Sequence, residues 1–145
     1  MRGLPGQQLW MPEFHYATDP QFVTTPNVGV NDVSTANTAR DGSGTIETIF
    51  TAGANGSRIE EIVIKATGDP ADSIVTIFLH DGSNFYLFDE FDLGNPAAAS
   101  TTVEGYRTSR TYTNLVLPTG WTLRAAITVA LTSGVINVFA LGGDL

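Results

Sequence analysis

Apolar side chains recur at every second position in short runs along this chain, and clusters of Gly, Asn, Asp and Pro separate the runs. That spacing predicts an antiparallel all-β domain from about Val30 onward. In GTIETIFTAG, Ile46, Thr48 and Phe50 fall on one face of a strand and Glu47, Ile49 and Thr51 on the other, and AGANGS supplies the turn that follows. In RIEEIVIKATGDP, Ile62, Ile64 and Ala66 alternate with Glu61, Val63 and Lys65, while Ile59 is out of phase with the apolar set. A β-bulge near Glu60 restores the phase. DSIVTIFLHDGSNFYLFDEFDLG reads as a hairpin, because two alternating runs flank Asp81-Gly82, a dipeptide suited to a tight reversal.

NPAAASTTVEG reads as a longer connection, and YRTSRTYTNLVLPTG as a polar strand that turns apolar at Leu115, Val116 and Leu117. WTLRAAITVALTSGVINVFALGG reads as a second hairpin. Its first strand presents Trp121, Leu123, Ala125, Ile127 and Val129 on one face, and Val135, Asn137, Phe139 and Leu141 face back from the other strand. Trp121 is expected at the core or its rim, its indole N–H bonded to a carbonyl. No segment holds a 3.6-residue period, so about eight strands and no helix longer than a turn are expected. Short strands joined by a mixture of tight hairpins and long connections fit a two-sheet, jelly-roll-like sandwich. An immunoglobulin-like sandwich is the second choice, weakened by the missing Cys pair and the late position of Trp121.

The first residues break the pattern. Leu9, Trp10, Met11, Phe14 and Tyr16 are crowded together, yet Pro5, Pro12 and Pro20 deny them a helix or a central strand. Residues 1–30 are therefore read as an extended arm and residues 31–145 as the β-sandwich domain. The five large side chains are the expected interface anchors, because aromatic residues and Met are enriched in buried interface cores. The competing reading folds the arm back over its own sandwich.

Composition narrows the function. The 145 residues are 42% hydrophobic and 15% charged, which fits a folded chain with a sizeable core and few charges to spare for open surface. Fifteen acidic residues against seven basic ones give a net charge of −8, which repels nucleic-acid phosphate. There is no Cys, so disulfides and thiolate chemistry are excluded. No run approaches the ~20 apolar residues of a membrane span, and no signal peptide is evident, so synthesis in a cytoplasm without a membrane partner is expected.

No candidate chemistry converges. Asp89, Glu90 and Asp92 of the DEFD run split between the two faces of a strand, which argues against a shared metal. His15 and His80 lack metal-site spacing, DGSGT lacks a following helix to hold phosphate, and no nucleophile elbow occurs. The aromatic and Arg interleaving of YRTSRTY would suit single-stranded nucleic acid but for the net charge. No cofactor, metal or catalytic residue is expected.

Four stretches, TARDGSGTIETIFTAGANGSRIEEIVIKATG, VTIFLHDGSNFYLFDEFDL, NLVLPTGWTLRAAITVA and INVFALGGDL, resemble small virion proteins of tailed bacteriophages, of the head-decoration or cement kind. The most specific features are RDGSGT at Arg40, TAGANGSRI at Thr51, LPTGW at Leu117 and GGD at Gly142. The resemblance covers residues 38–145 and excludes the arm. It implies a non-enzymatic subunit on the capsid exterior that binds the major capsid protein and itself, with a homotrimer as the expected oligomer. Binding only to the assembled lattice would add to that lattice's stability. A receptor- or glycan-binding module of a tail or fibre, with Tyr86, Tyr112 and Trp121 as stacking platforms, is the alternative, and a glycoside-cleaving enzyme the third reading.

Overall fold

The computed structural model describes residues 22–145. Nine strands succeed one another: β1 (Thr25–Val33), β2 (Glu47–Thr51), β3 (Ser57–Ala66), β4 (Ser73–His80), β5 (Phe85–Gly94), β6 (Arg107–Thr111), β7 (Val116–Leu117), β8 (Thr122–Ile127) and β9 (Ile136–Asp144). Among the described residues there is no helix. One sheet, A, has the order β1-β9-β3-β6, with the two-residue β7 also on β3, and the other, B, has the order β2-β8-β4-β5. All pairings within strands are antiparallel.

The nesting of the pairs defines the architecture. β4 pairs with β5, β3 with β6, β2 with β8 and β1 with β9. A long hairpin rolled around itself gives this set, with successive pairs in alternate sheets. The fold is the expected two-sheet jelly-roll sandwich, with β7 as an addition. Its core is apolar and continuous between the sheets, with Phe50, Ile59, Ile62, Ile64, Ile77, Leu123, Ile127 and Ile136 fully enclosed.

Local chemistry accounts for the bends. The β3–β9 register shifts between Ile59 and Glu61, so Glu60 is the extra residue of a bulge and Ile59 joins Ile62 and Ile64 inside. The β4–β5 hairpin forms as expected around Asp81, whose Oδ1 accepts the Ser83 and Asn84 amides at 2.8 and 2.7 Å. Gly82 takes φ 103° there, a conformation that disfavours side chains.

Four expectations need correction. The β2–β8 register shifts between Thr48 and Phe50, so Ile49 and Phe50 are both buried and strict alternation fails. β8 and β9 form no hairpin: β8 lies between β2 and β4 in sheet B, and β9 between β1 and β3 in sheet A. The face of β9 turned to the core carries Ile136, Val138 and Ala140, whereas Asn137, Phe139 and Leu141 point outward. Finally, the boundary at residue 30 falls inside β1. Residues 25–30 pair with β9 along their length, although Pro26, Asn27 and Gly29 are poor strand formers.

Gly29 has a steric reason to be there. A Cβ at that position would lie 2.1 Å from the Ile49 carbonyl oxygen, because β1 abuts the bulge of β2 where the two sheets close. Asn31 Nδ2 donates to the Thr48 carbonyl at 3.1 Å across the same seam.

Candidate functional site

The two outer faces of the sandwich differ. On sheet B, residues 34–46 cross the outer surface. Asn37 donates its amide to the Ile127 carbonyl, and its side chain donates to the carbonyls of Ser43 and Thr45, both at 2.9 Å. Asp41 accepts the Ser43 amide and hydroxyl at 3.0 and 2.6 Å, which holds its carboxyl below its ordinary pKa. Gly42 rests on Phe85, and Arg40 meets Glu90 at 2.8 Å. Under this cover Phe78 and Thr76 are buried although they point away from the core. DGSGT is thus a turn in a covering loop.

Sheet A has no such cover among the described residues. Val28 pairs with Leu141, Val30 pairs with Phe139, and Phe139 pairs with Val63, which sets these side chains side by side on the outer surface. Val28 is 58% and Val30 54% exposed. The chain enters the domain at the end of this strip: the Thr24 amide donates to the Asp144 carbonyl at 2.7 Å, and Val23 Cγ1 lies 2.1 Å from where a Cβ on Gly143 would be. Gly142 is equally constrained, since its Cβ would fall 1.9 Å from the Arg58 carbonyl oxygen. Asp144 accepts Ser57 Oγ at 2.6 Å and Asn27 Nδ2 at 2.8 Å, and these two bonds hold its carboxyl below the ordinary range. The terminal GGD therefore locks β1, β3 and β9 together.

A second feature lies at the opposite seam, where the edge strands β5 and β6 meet. Asp89 faces inward from β5 opposite Ile77, and Arg110 faces inward from β6 opposite Ile62. They form an ion pair, Arg110 lies 4.5 Å over the Phe91 ring, and the Tyr112 hydroxyl donates to Asp89 Oδ2 at 2.6 Å. Burial pushes the Asp89 carboxyl up, but Tyr112, Arg110 and the Glu90 amide outweigh it and hold the pKa low. Burial and the Asp89 charge together push the Tyr112 phenol far above its usual value, so it stays a neutral donor.

Two aromatic pairs flank this cluster. Tyr86 and Trp121 are stacked, with centroids 6.2 Å apart and planes 15° from parallel. Phe88 and Tyr112 lie 5.6 Å apart at 43° and border an open cavity of about 330 Å³ completed by Thr111, Thr113, Asn114 and Leu115. The proposed platforms are therefore two separate pairs, and Phe88 is a member that sequence reasoning missed. A register shift beyond Ile77 pairs Phe78 with Leu87 and leaves Phe88 as the extra residue, so three consecutive apolar side chains, Tyr86, Leu87 and Phe88, are all exposed. Trp121 is half-buried at the core rim, and its expected indole bond to a carbonyl does not occur among the described residues.

Other candidates are structural. Glu90 turns to Arg40 and Asp92 accepts the Gly94 amide, so the DEFD carboxylates separate as alternation requires. His80 Nδ1 accepts the Gly82 amide at 3.3 Å beside the Phe85 ring. Within YRTSRTY, Arg107 pairs with Glu61 and Arg110 with Asp89. The arm anchors Leu9, Trp10, Met11, Phe14 and Tyr16, together with His15, lie outside the described residues. No protein-family model matches the chain, and no curated protein matches it.

Proposed function

We propose that the protein is a non-enzymatic virion structural subunit of a tailed bacteriophage, which decorates the capsid exterior and stabilises the shell. The observation that carries this reading is the pair Val28 and Val30, exposed among the described residues on the outer face of sheet A beside the half-buried Phe139 and Leu141. Exposed, contiguous apolar surface marks interaction sites in folded proteins. The described chain enters at the end of this strip, where Val23 lies against Gly143. The jelly roll is an architecture that viral shell proteins use, a likeness that supports the reading by analogy. The partners in this proposal are the major capsid protein and further copies of the chain, with a trimer matching the three-fold axes of a shell.

Attachment then adds stability by linkage, because the subunit binds the assembled lattice and not its dissociated parts. Co-sedimentation with purified heads tests the proposal. The double substitution Val28→Lys, Val30→Lys puts two charges on exposed positions and leaves the core intact. It is expected to weaken attachment about tenfold or more. Unchanged attachment, or none by the parent protein, contradicts the proposal. The alternative, a receptor- or glycan-binding module, concerns the other seam of the sandwich.

A further inference from the structure

We infer that the cavity beside Phe88 and Tyr112 is a binding subsite for a neutral pyranose unit of a glycan. Its size, about 330 Å³, falls at the lower end of small-molecule sites, and its mouth is open, as the end-on or side-on capture of a sugar chain requires. Two kinds of surface meet there. Phe88 and Tyr112 offer tilted aromatic rings, whose electron-rich faces attract the polarised C–H groups of a pyranose. Beside them, the hydroxyls of Thr111 and Thr113 and the amide of Asn114 have no hydrogen-bond partner among the described residues. They remain available to sugar hydroxyls.

The cradle is also held in place. The bulge at Glu60 turns its carbonyl to the Tyr112 amide at 2.8 Å, and the Leu115 carbonyl accepts the Ile59 amide at 2.9 Å, so the 112–115 loop is pinned at both ends to β3. The bond from the Tyr112 hydroxyl to Asp89 fixes the ring that serves as the platform. A fixed loop loses little freedom on binding, which favours weak ligands such as single sugars. Charge selects a neutral unit. Arg110 is engaged by Asp89 and Arg107 by Glu61, and the net charge of −8 opposes uronic or sialic acids. The Tyr86–Trp121 pair is not part of the subsite, because neither ring lines the cavity.

The inference is independent of shell attachment, which uses sheet A. It is tested by titrating the isotope-labelled full chain with neutral hexasaccharides, namely cello-, malto-, manno- and chitohexaose, and following amide shifts. At least one is expected to bind in the millimolar range or tighter and to shift Phe88, residues 111–115 and the Asn114 side-chain amide. Phe88→Ala, an exposed position, and Asn114→Ala are expected to weaken that binding by about tenfold and about fivefold respectively while leaving the melting temperature within a few degrees. No shift with any of the four probes overturns the inference. So do shifts centred on Tyr86 and Trp121, and so does binding that survives Phe88→Ala.

Discussion

Tyr112 donates its hydroxyl to Asp89 Oδ2 at 2.6 Å, and this bond, with the Arg110 ion pair, joins β5 of one sheet to the end of β6 in the other. The opposite seam closes differently, by backbone contact at Gly29 and the bond from Asn31 Nδ2 to the Thr48 carbonyl, with no ion pair across it among the described residues. Removing the carboxylate with Asp89→Ala leaves Tyr112 and Arg110 without their acceptor, and a loss of about 1–3 kcal/mol is expected from urea titration at neutral pH. The pH dependence follows from the low pKa of Asp89 in the fold. Its contribution is complete above the ordinary value of 3.8 and drains away as pH falls through the lower folded value. The parent and the Asp89→Ala variant should therefore differ most near neutrality and converge in strong acid. A gap that stays constant down to about pH 2 would refute this assignment.

Trp121 packs on the rim of the core and against Tyr86, between the extremes of full burial and a free platform. Trp121→Ala is expected to cost about 1–3 kcal/mol, below the ~3–5 kcal/mol of a fully enclosed aromatic. Thermal melts of this variant and of Tyr86→Ala should show that part of the loss is shared, since the rings contact each other. Additive losses in the double variant would remove the stack from the account.

Two glycines separate steric from conformational demand. Gly142→Ala places a Cβ 1.9 Å from the Arg58 carbonyl oxygen, so β9 must move away from β3. A cost of about 1–3 kcal/mol is expected from overpacking alone. Gly82→Ala meets no atom within 4 Å but forces φ 103° on a side chain. It should cost about 1–2 kcal/mol without disturbing the β3–β9 ladder. Hydrogen exchange of the β9 amides distinguishes the two, with faster exchange expected only in Gly142→Ala.

Deletions locate the true start of the domain. A chain beginning at residue 22 keeps every described contact and is expected to melt cooperatively. A chain beginning at residue 31 loses the β1 rungs from Thr25 to Val30 and leaves one side of β9 unpaired from Phe139 to Asp144. Such an edge invites aggregation, and light scattering on refolding is expected to rise in that variant alone. Equal behaviour of the two deletions would mean that β1 contributes nothing to the sandwich.

What the sequence revealed depended on the range of the interaction. The Asp81-Gly82 hairpin and the Glu60 bulge were legible because turn chemistry and phase are local properties. β8 and β9 misled because apolar alternation on both sides of a Thr-Ser-Gly stretch looks the same whether the strands pair or arch between sheets. The phase of β9 was ambiguous for a physical reason: Phe139 and Leu141 beside Asn137 make its outer face nearly as apolar as the Ile136, Val138 and Ala140 face in the core. Phe88 could not be paired with Tyr112 in advance, since the two meet only after the sheets pack and a register shift turns Phe88 outward.

An electron cryo-microscopy map of intact particles tests the central claim most directly. The account predicts a jelly-roll density on the shell exterior with the outer face of sheet A, around Val30 and Phe139, turned onto the capsid protein or a neighbouring copy. A particle that lacks this density, or one in which Val30 and Phe139 face open solvent, would contradict it.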